Sequence, residues 1–110
     1  MSSNIYKASV IMPINSRMEM LLQQKDINYL WNPNLWCFFG GKIEPGETAS
    51  ETRDREWSEE IGNKNLLENV YFFRHFPFYD VHSGNGTIRK GILYVYSADF
   101  VGNPSEIKLK

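Results

Sequence analysis

Three glutamates, Glu56, Glu59 and Glu60, stand at i, i+3 and i+4, the spacing that projects side chains from one face of a helix. Like charges so placed repel by roughly 0.2–0.5 kcal/mol per pair on an isolated helix. Helix formation alone gives no reason to gather them. A hard divalent cation such as magnesium takes oxygen ligands and turns that repulsion into binding. Just upstream, Gly40-Gly41 lets the backbone turn sharply. Pro45-Gly46 sets a second turn that brings Glu47 back toward the helix.

The element that must carry the glutamates is a helix from Thr48 to Ile61. Thr48 or Ser50 can cap it, and Glu51 follows Thr48 at capping-box spacing. Glu51→Arg55 and Arg55→Glu59 are both i, i+4 pairs, which holds Arg55 between carboxylates. Trp57 and Ile61 lie on another side, together with Ser50 and Asp54, and can face a core. Gly62 is the natural stop at C′.

Around the helix the pattern is that of strands. Ile5 to Ile14 puts Tyr6, Ala8, Val10, Met12 and Ile14 on one face and Ile5, Ser9 and Ile11 on the other. Pro13 places the end of this strand near a sheet edge or bend. Met18 to Gln24 reads as a second strand, forming a hairpin with the first. Lys25 to Asn34 is a loop, and Leu35 to Phe39 is a short apolar strand running into the glycines. Val70 to Tyr79 is a long aromatic strand, with Phe72, Phe76 and Phe78 on one face and Tyr71, Phe73 and His75 on the other. Asn85-Gly86 signals a turn. Ile88 to Phe100 closes the set, and its stretch Ile92 to Tyr96 is apolar on both faces, as in a central strand.

The 110 residues suit one domain spanning 1–110. Twelve basic and thirteen acidic residues leave a formal net charge of −1, which argues against a general binder of nucleic acid or anionic membrane. The single cysteine, Cys37, excludes an internal disulfide framework and fits a reducing compartment, where it reads as a small buried hydrophobe. The N-terminus lacks the pattern of a signal peptide, and no apolar run approaches the ~20 residues of a membrane span. A soluble, cytoplasmic protein is expected.

The order Gly41, five residues, Glu47, seven residues, Arg55-Glu56, an apolar Trp57, one residue, Glu59-Glu60, one residue, Gly62 resembles the signature of the Nudix hydrolases. These enzymes cut nucleoside diphosphates linked to another moiety. Seven fixed positions at average usage match by chance about four times in 10⁹ starting points, so coincidence is a poor explanation. The resemblance implies an α/β (α+β) fold, a mixed β-sheet with the motif helix packed on one face. It implies Mg²⁺ (or Mn²⁺) held by the Gly40 carbonyl, Glu56, Glu59 and Glu60. Glu47 would pair with Arg55 and tie the loop to the helix. Either Glu56 or Glu59 would accept the proton of the attacking water. The alternative is a non-catalytic nucleotide-binding or regulatory domain on the same fold.

Asn63 replaces the apolar residue the signature has after Gly62, which should cost some packing at the helix end. Phe39 stands where many members carry proline. The family usually continues into a further strand and a C-terminal helix covering the other sheet face. That helix is absent from this sequence, so either the chain is truncated or a second copy, in a homodimer, covers an exposed face. Lys42 and Arg53 are candidates for substrate phosphate. Trp31 is the preferred candidate for stacking a base, ahead of Tyr29 and Trp36. His75 reads as a structural residue within an aromatic strand, and His82 lies in a polar loop.

Overall fold

A computed structural model describes residues 6–24, 36–62, 64–81 and 84–106. The chain runs β1 (Tyr6–Ile14), β2 (Gln23–Gln24), β3 (Trp36–Cys37), β4 (Phe39–Lys42), α1 (Ala49–Glu60), β5 (Leu67–Val81) and β6 (Ile88–Phe100), with short 3₁₀ turns at Lys64–Leu66 and Pro104–Glu106. The main sheet has the order β4-β1-β6-β5. It is mixed: β1 pairs parallel with β6 and antiparallel with β4, and β5 pairs antiparallel with β6. The fold is α+β, as the sequence indicates.

One face of this sheet is covered by α1. Ile11, Phe39, Tyr96, Ala98 and Phe100 from the strands meet Trp57 and Ile61 from the helix, with Leu66 closing the end. Trp57 is 3 % exposed. Its ring meets Phe39 edge-on, centroids 5.4 Å apart, a geometry that adds about 0.5–1.5 kcal/mol to the burial of both rings. Ser9, fully buried on the same face, donates from Oγ to the Ala49 carbonyl at 2.7 Å and so fixes the start of the helix on β1.

The helix bounds agree with the local signals. Thr48 is the N-cap; its Oγ1 accepts from the Glu51 N–H, and the Glu51 carboxylate accepts from the Thr48 N–H. That reciprocal bond occupies Glu51, so Glu51 takes no part in holding Arg55, contrary to the i, i+4 reading. At the other end Gly62 has φ +86°, a left-handed conformation that glycine enters without steric cost.

Several strand expectations are corrected. The hairpin of Met18–Gln24 with β1 reduces to a bridge between Ile14 and Met20, and Gln23–Gln24 pairs instead with Trp36–Cys37. Gly40 and Gly41 do not follow a strand as a loop; they lie inside β4, opposite Val10 and Ser9. Pro13 is buried in an interior strand, but beyond the end of β4, where its carbonyl accepts from Leu21. A bulge between Phe72 and Arg74 moves the aromatic residues of β5 out of simple alternation. Phe72 therefore packs with Tyr94 and Tyr96 on the helix side, where the ring of His75 also meets Tyr94, while Phe76 stays opposite Leu93. His75, read as a structural residue within an aromatic strand, is exposed, and Cys37, read as buried, is half-buried. Tyr29, Trp31, Asn63 and His82 lie outside the described residues.

Candidate functional site

The site is built where β4 passes under the carboxylate side of α1. Its centre is Arg55, which has five N–H donors. Nε donates to Glu47 Oε2 at 2.7 Å and Nη2 to Glu47 Oε1 at 3.0 Å, a bidentate pair. Nη2 also donates to the Lys42 carbonyl at 3.2 Å, and Nη1 donates to Glu56 at 3.3 Å and Glu59 at 3.2 Å. One guanidinium thus ties the end of β4, the loop carboxylate and two helix carboxylates. The bond to Arg55 lowers the pKa of Glu47 to about 2, and the same bond raises that of Arg55.

The loop is organised to present Glu47. The Glu47 N–H donates to the Glu44 carbonyl at 3.0 Å, with Pro45 and Gly46 between them and Gly46 at φ +85°. This is the hydrogen bond and the left-handed third residue of a type II turn. Thr52, fully buried, donates from Oγ1 to Glu47 Oε1 at 2.9 Å.

Glu60 approaches from the next turn of the helix. It accepts from the Gly40 N–H at 2.8 Å and from Gln23 Nε2 at 2.8 Å. Burial pushes its pKa up to about 7, with the Glu56 and Glu59 charges adding to the effect against these two hydrogen bonds. The pKa of Glu56 is also raised, chiefly by burial, with Arg55 opposing and Glu59 adding. Glu59 is the most open of the three, its side chain 55 % exposed. The two glycines make this approach possible. A Cβ at Gly41 would run into the Glu56 carboxylate, and one at Gly40 would run into the Ser9 carbonyl and the backbone of Val10.

Of the residues singled out from sequence, Gly40, Gly41, Glu47, Arg55, Glu56, Glu59 and Glu60 are brought together. Gly62 ends the helix that carries them. Lys42 contributes its backbone carbonyl and has an exposed side chain. Arg53 is not in this cluster: it lies on the sheet side of α1, its guanidinium 4.6 Å from the centre of the Tyr96 ring. Gln23 and Thr52 were not anticipated. Gln23 meets Glu60 only through folding across 37 positions, and nothing local marks it. Thr52 carried a signal, a hydroxyl five positions after Glu47 on the first turn of the helix.

The donor set is oxygen throughout, which suits magnesium or manganese. Two of its carboxylates are partly desolvated, and Arg55 beside them already has an acceptor for every donor. Among the described residues no three carboxylate, imidazole or thiol side chains converge into a finished cage. Magnesium binds through one or two carboxylates together with waters and substrate oxygens, and Glu56 and Glu59, both held on Arg55, are carboxylates of that kind. The residues fit such an ion.

A mixed sheet with one carboxylate-bearing helix locked over a Gly-Gly strand defines a Nudix-type domain. The family model for the NUDIX domain matches residues 5–108, and the chain belongs to that family. Over 57 residues, 49% of the chain, it is 40% identical to Nudix hydrolase 3 of Caenorhabditis elegans, and this stretch amounts to 24% of that protein. Among solved structures it is similar to a MutT protein of Methanosarcina mazei Go1 (24% identity, TM-score 0.75, 99% of this chain and 73% of that one). It is also similar to an Ap4A hydrolase of C. elegans (21% identity, TM-score 0.60, 96% and 75%). At these identities the two structures speak for the fold.

Proposed function

We propose that this chain, as a single Nudix-type domain over 1–110, hydrolyses the diphosphate linkage of a nucleoside diphosphate derivative, such as a nucleoside triphosphate or a nucleotide sugar. The observation that carries the reading is that Glu56 and Glu59 meet on a guanidinium with no donor to spare, while Glu60 on the same helix takes the Gly40 N–H of β4. In this reading Gly40, Glu56, Glu59 and Glu60 hold Mg²⁺ or Mn²⁺. The bound ion neutralises diphosphate charge and lowers the pKa of a coordinated water. Arg55 keeps Glu56 and Glu59 in place, and Glu47 keeps Arg55 in place. Glu56 or Glu59 takes the proton from the attacking water; Glu59 has the greater access to solvent and Glu56 the raised pKa. Lys42 and Trp31 are the candidates for phosphate and base contacts.

No helix among the described residues is long and apolar enough to cross a membrane, and we read the protein as cytoplasmic. The nearly balanced charge supports a small-molecule substrate and not a nucleic acid. A second copy of the chain is the partner we assign to the exposed aromatic residues of β5.

The test is a screen of nucleoside triphosphates, dinucleoside polyphosphates, nucleotide sugars and dinucleotide cofactors with Mg²⁺. Glu59→Gln and Glu56→Gln should each reduce turnover, and the one that removes the base should do so by about 10²–10⁴-fold. Nucleotide binding without turnover by wild type would mean a binding domain. Full turnover by both variants would remove these glutamates from the chemistry.

A further inference from the structure

Gln23 stands half-buried on β2, and its side chain reaches the last residue of α1. Its Nε2 donates to Glu60 Oε2 at 2.8 Å and, more weakly, to the Phe38 carbonyl at 3.4 Å. Both neighbours accept: one is a carboxylate, the other a backbone carbonyl. The amide therefore has one workable orientation, since a flip would set its own oxygen against two others. The backbone of Gln23 is held as well, paired with Cys37 in the β2–β3 ribbon. The other oxygen of the carboxylate, Oε1, accepts from the Gly40 N–H at 2.8 Å. Each oxygen of Glu60 thus meets one of these donors and has a second lone pair beyond it.

We propose that Gln23 is a positioning residue for the divalent cation: it holds the Glu60 carboxylate in one orientation, with a lone pair on each oxygen left for the ion. The inference rests on the metal-dependent hydrolase reading and adds to it a residue from outside the Gly40–Gly62 stretch. Glu60 needs such a holder because Arg55 does not serve it. The five donors of that guanidinium go to Glu47, the Lys42 carbonyl, Glu56 and Glu59. Glu60 is met instead by two neutral dipoles, one from β4 and one from β2. The Gly40 N–H belongs to the main chain, and the pairing of β4 with β1 places it. The donor from β2 depends on a side chain, and so on the residue at position 23. A partner that orients a metal-binding carboxylate typically changes metal affinity by about 10–100-fold when it is lost.

The experiment is titration of the full chain with Mn²⁺, followed by the electron paramagnetic resonance signal of the free ion, on wild type, Gln23→Met, Glu60→Gln and the double variant. Methionine keeps the length of the side chain and removes the donor. Gln23→Met should weaken Mn²⁺ binding about 10–100-fold, and the Mg²⁺ concentration for half-maximal turnover should rise by a similar factor. In the Glu60→Gln background the same substitution should change Mn²⁺ affinity by no more than about twofold, because its effect runs through Glu60. Gln23→Asn, an amide one methylene too short, should reproduce the loss and keeps the test open if Gln23→Met folds poorly. Wild-type Mn²⁺ affinity in both variants, with only a lowered unfolding midpoint, makes Gln23 a structural residue and overturns the proposal while leaving the hydrolase. An equal loss of affinity with and without the Glu60 carboxylate overturns it too. The expected coupling in a chain that turns over no nucleotide removes the hydrolase and leaves the positioning residue; a wild type that takes up no Mn²⁺ removes both.

Discussion

Glu60 is the carboxylate most withdrawn from water, and its hydrogen bonds explain why it stays in place while charged. The Gly40 N–H and Gln23 amide face it from the strands, and Glu56 and Glu59 face it along the helix. Burial outweighs these donors and leaves the pKa near 7 against 4.5 for the free group. The sign of the consequence follows directly. Between about pH 4.5 and 7 the folded chain keeps a proton that the unfolded chain has released, so this group's contribution to stability falls as pH rises through that window. The size is on the order of 3 kcal/mol. Urea unfolding of metal-free protein, held in a chelator, should show higher stability at pH 5 than at pH 8. Glu60→Gln should flatten that slope. A wild-type profile that rises over the same range would contradict the burial argument.

The strand–loop–helix element contains three glycines that alanine should affect in three ways. At Gly40 the added Cβ meets the Ser9 carbonyl and the Val10 backbone, neither of which can move cheaply, so Gly40→Ala should cost about 3 kcal/mol. At Gly41 it meets only the end of the Glu56 side chain. The fold should survive, Glu56 should be displaced, and activity should drop on the order of 10²-fold, as for a misplaced group near the reacting atoms. At Gly46 the space is open and φ is +85°, so Gly46→Ala should pay only the left-handed backbone, about 1–2 kcal/mol. Unfolding and turnover measured on all three check the order. If Gly41→Ala keeps full turnover, the close approach of β4 and Glu56 is not needed. This element was also the most legible part of the sequence. Capping, the type II turn and the C′ glycine are decided within a few residues of chain, so Thr48, Pro45-Gly46 and Gly62 can be read locally. The pairing partners of Gln23–Gln24 and the placement of the glycines inside β4 depend on contacts distant in sequence. The bulge at Phe72–Arg74 inverts the faces of an otherwise alternating strand, and periodicity cannot show that.

For the whole molecule the unresolved surface is the outer strand. β5 is 15 residues long and, among the described residues, has a neighbour, β6, on one side only. It exposes Tyr71 (57 %), Phe72 (47 %), Phe73 (46 %), Phe76 (37 %) and Tyr79 (64 %). At about 200 Å² per ring that is about 500 Å² of aromatic surface, against about 800 Å² per partner in a standard interface. Because the bulge distributes these rings over both faces of the strand, a flat cover on one face would leave half of them in water. Pro77 and the register shifts interrupt a continuous edge ladder, so side chains and not backbone bonds should carry the contact. A second copy meeting this strand about a two-fold axis buries the same rings on both partners, since such an interface is self-complementary. Sedimentation velocity over a concentration series should then show a dimer of the 12.8 kDa chain. Tyr71→Glu and Phe73→Glu should shift it to monomer without lowering the unfolding midpoint of the monomer, because both rings are already half in water. A wild-type chain that stays monomeric throughout the series, or a dimer indifferent to both substitutions, would rule out β5 as the contact.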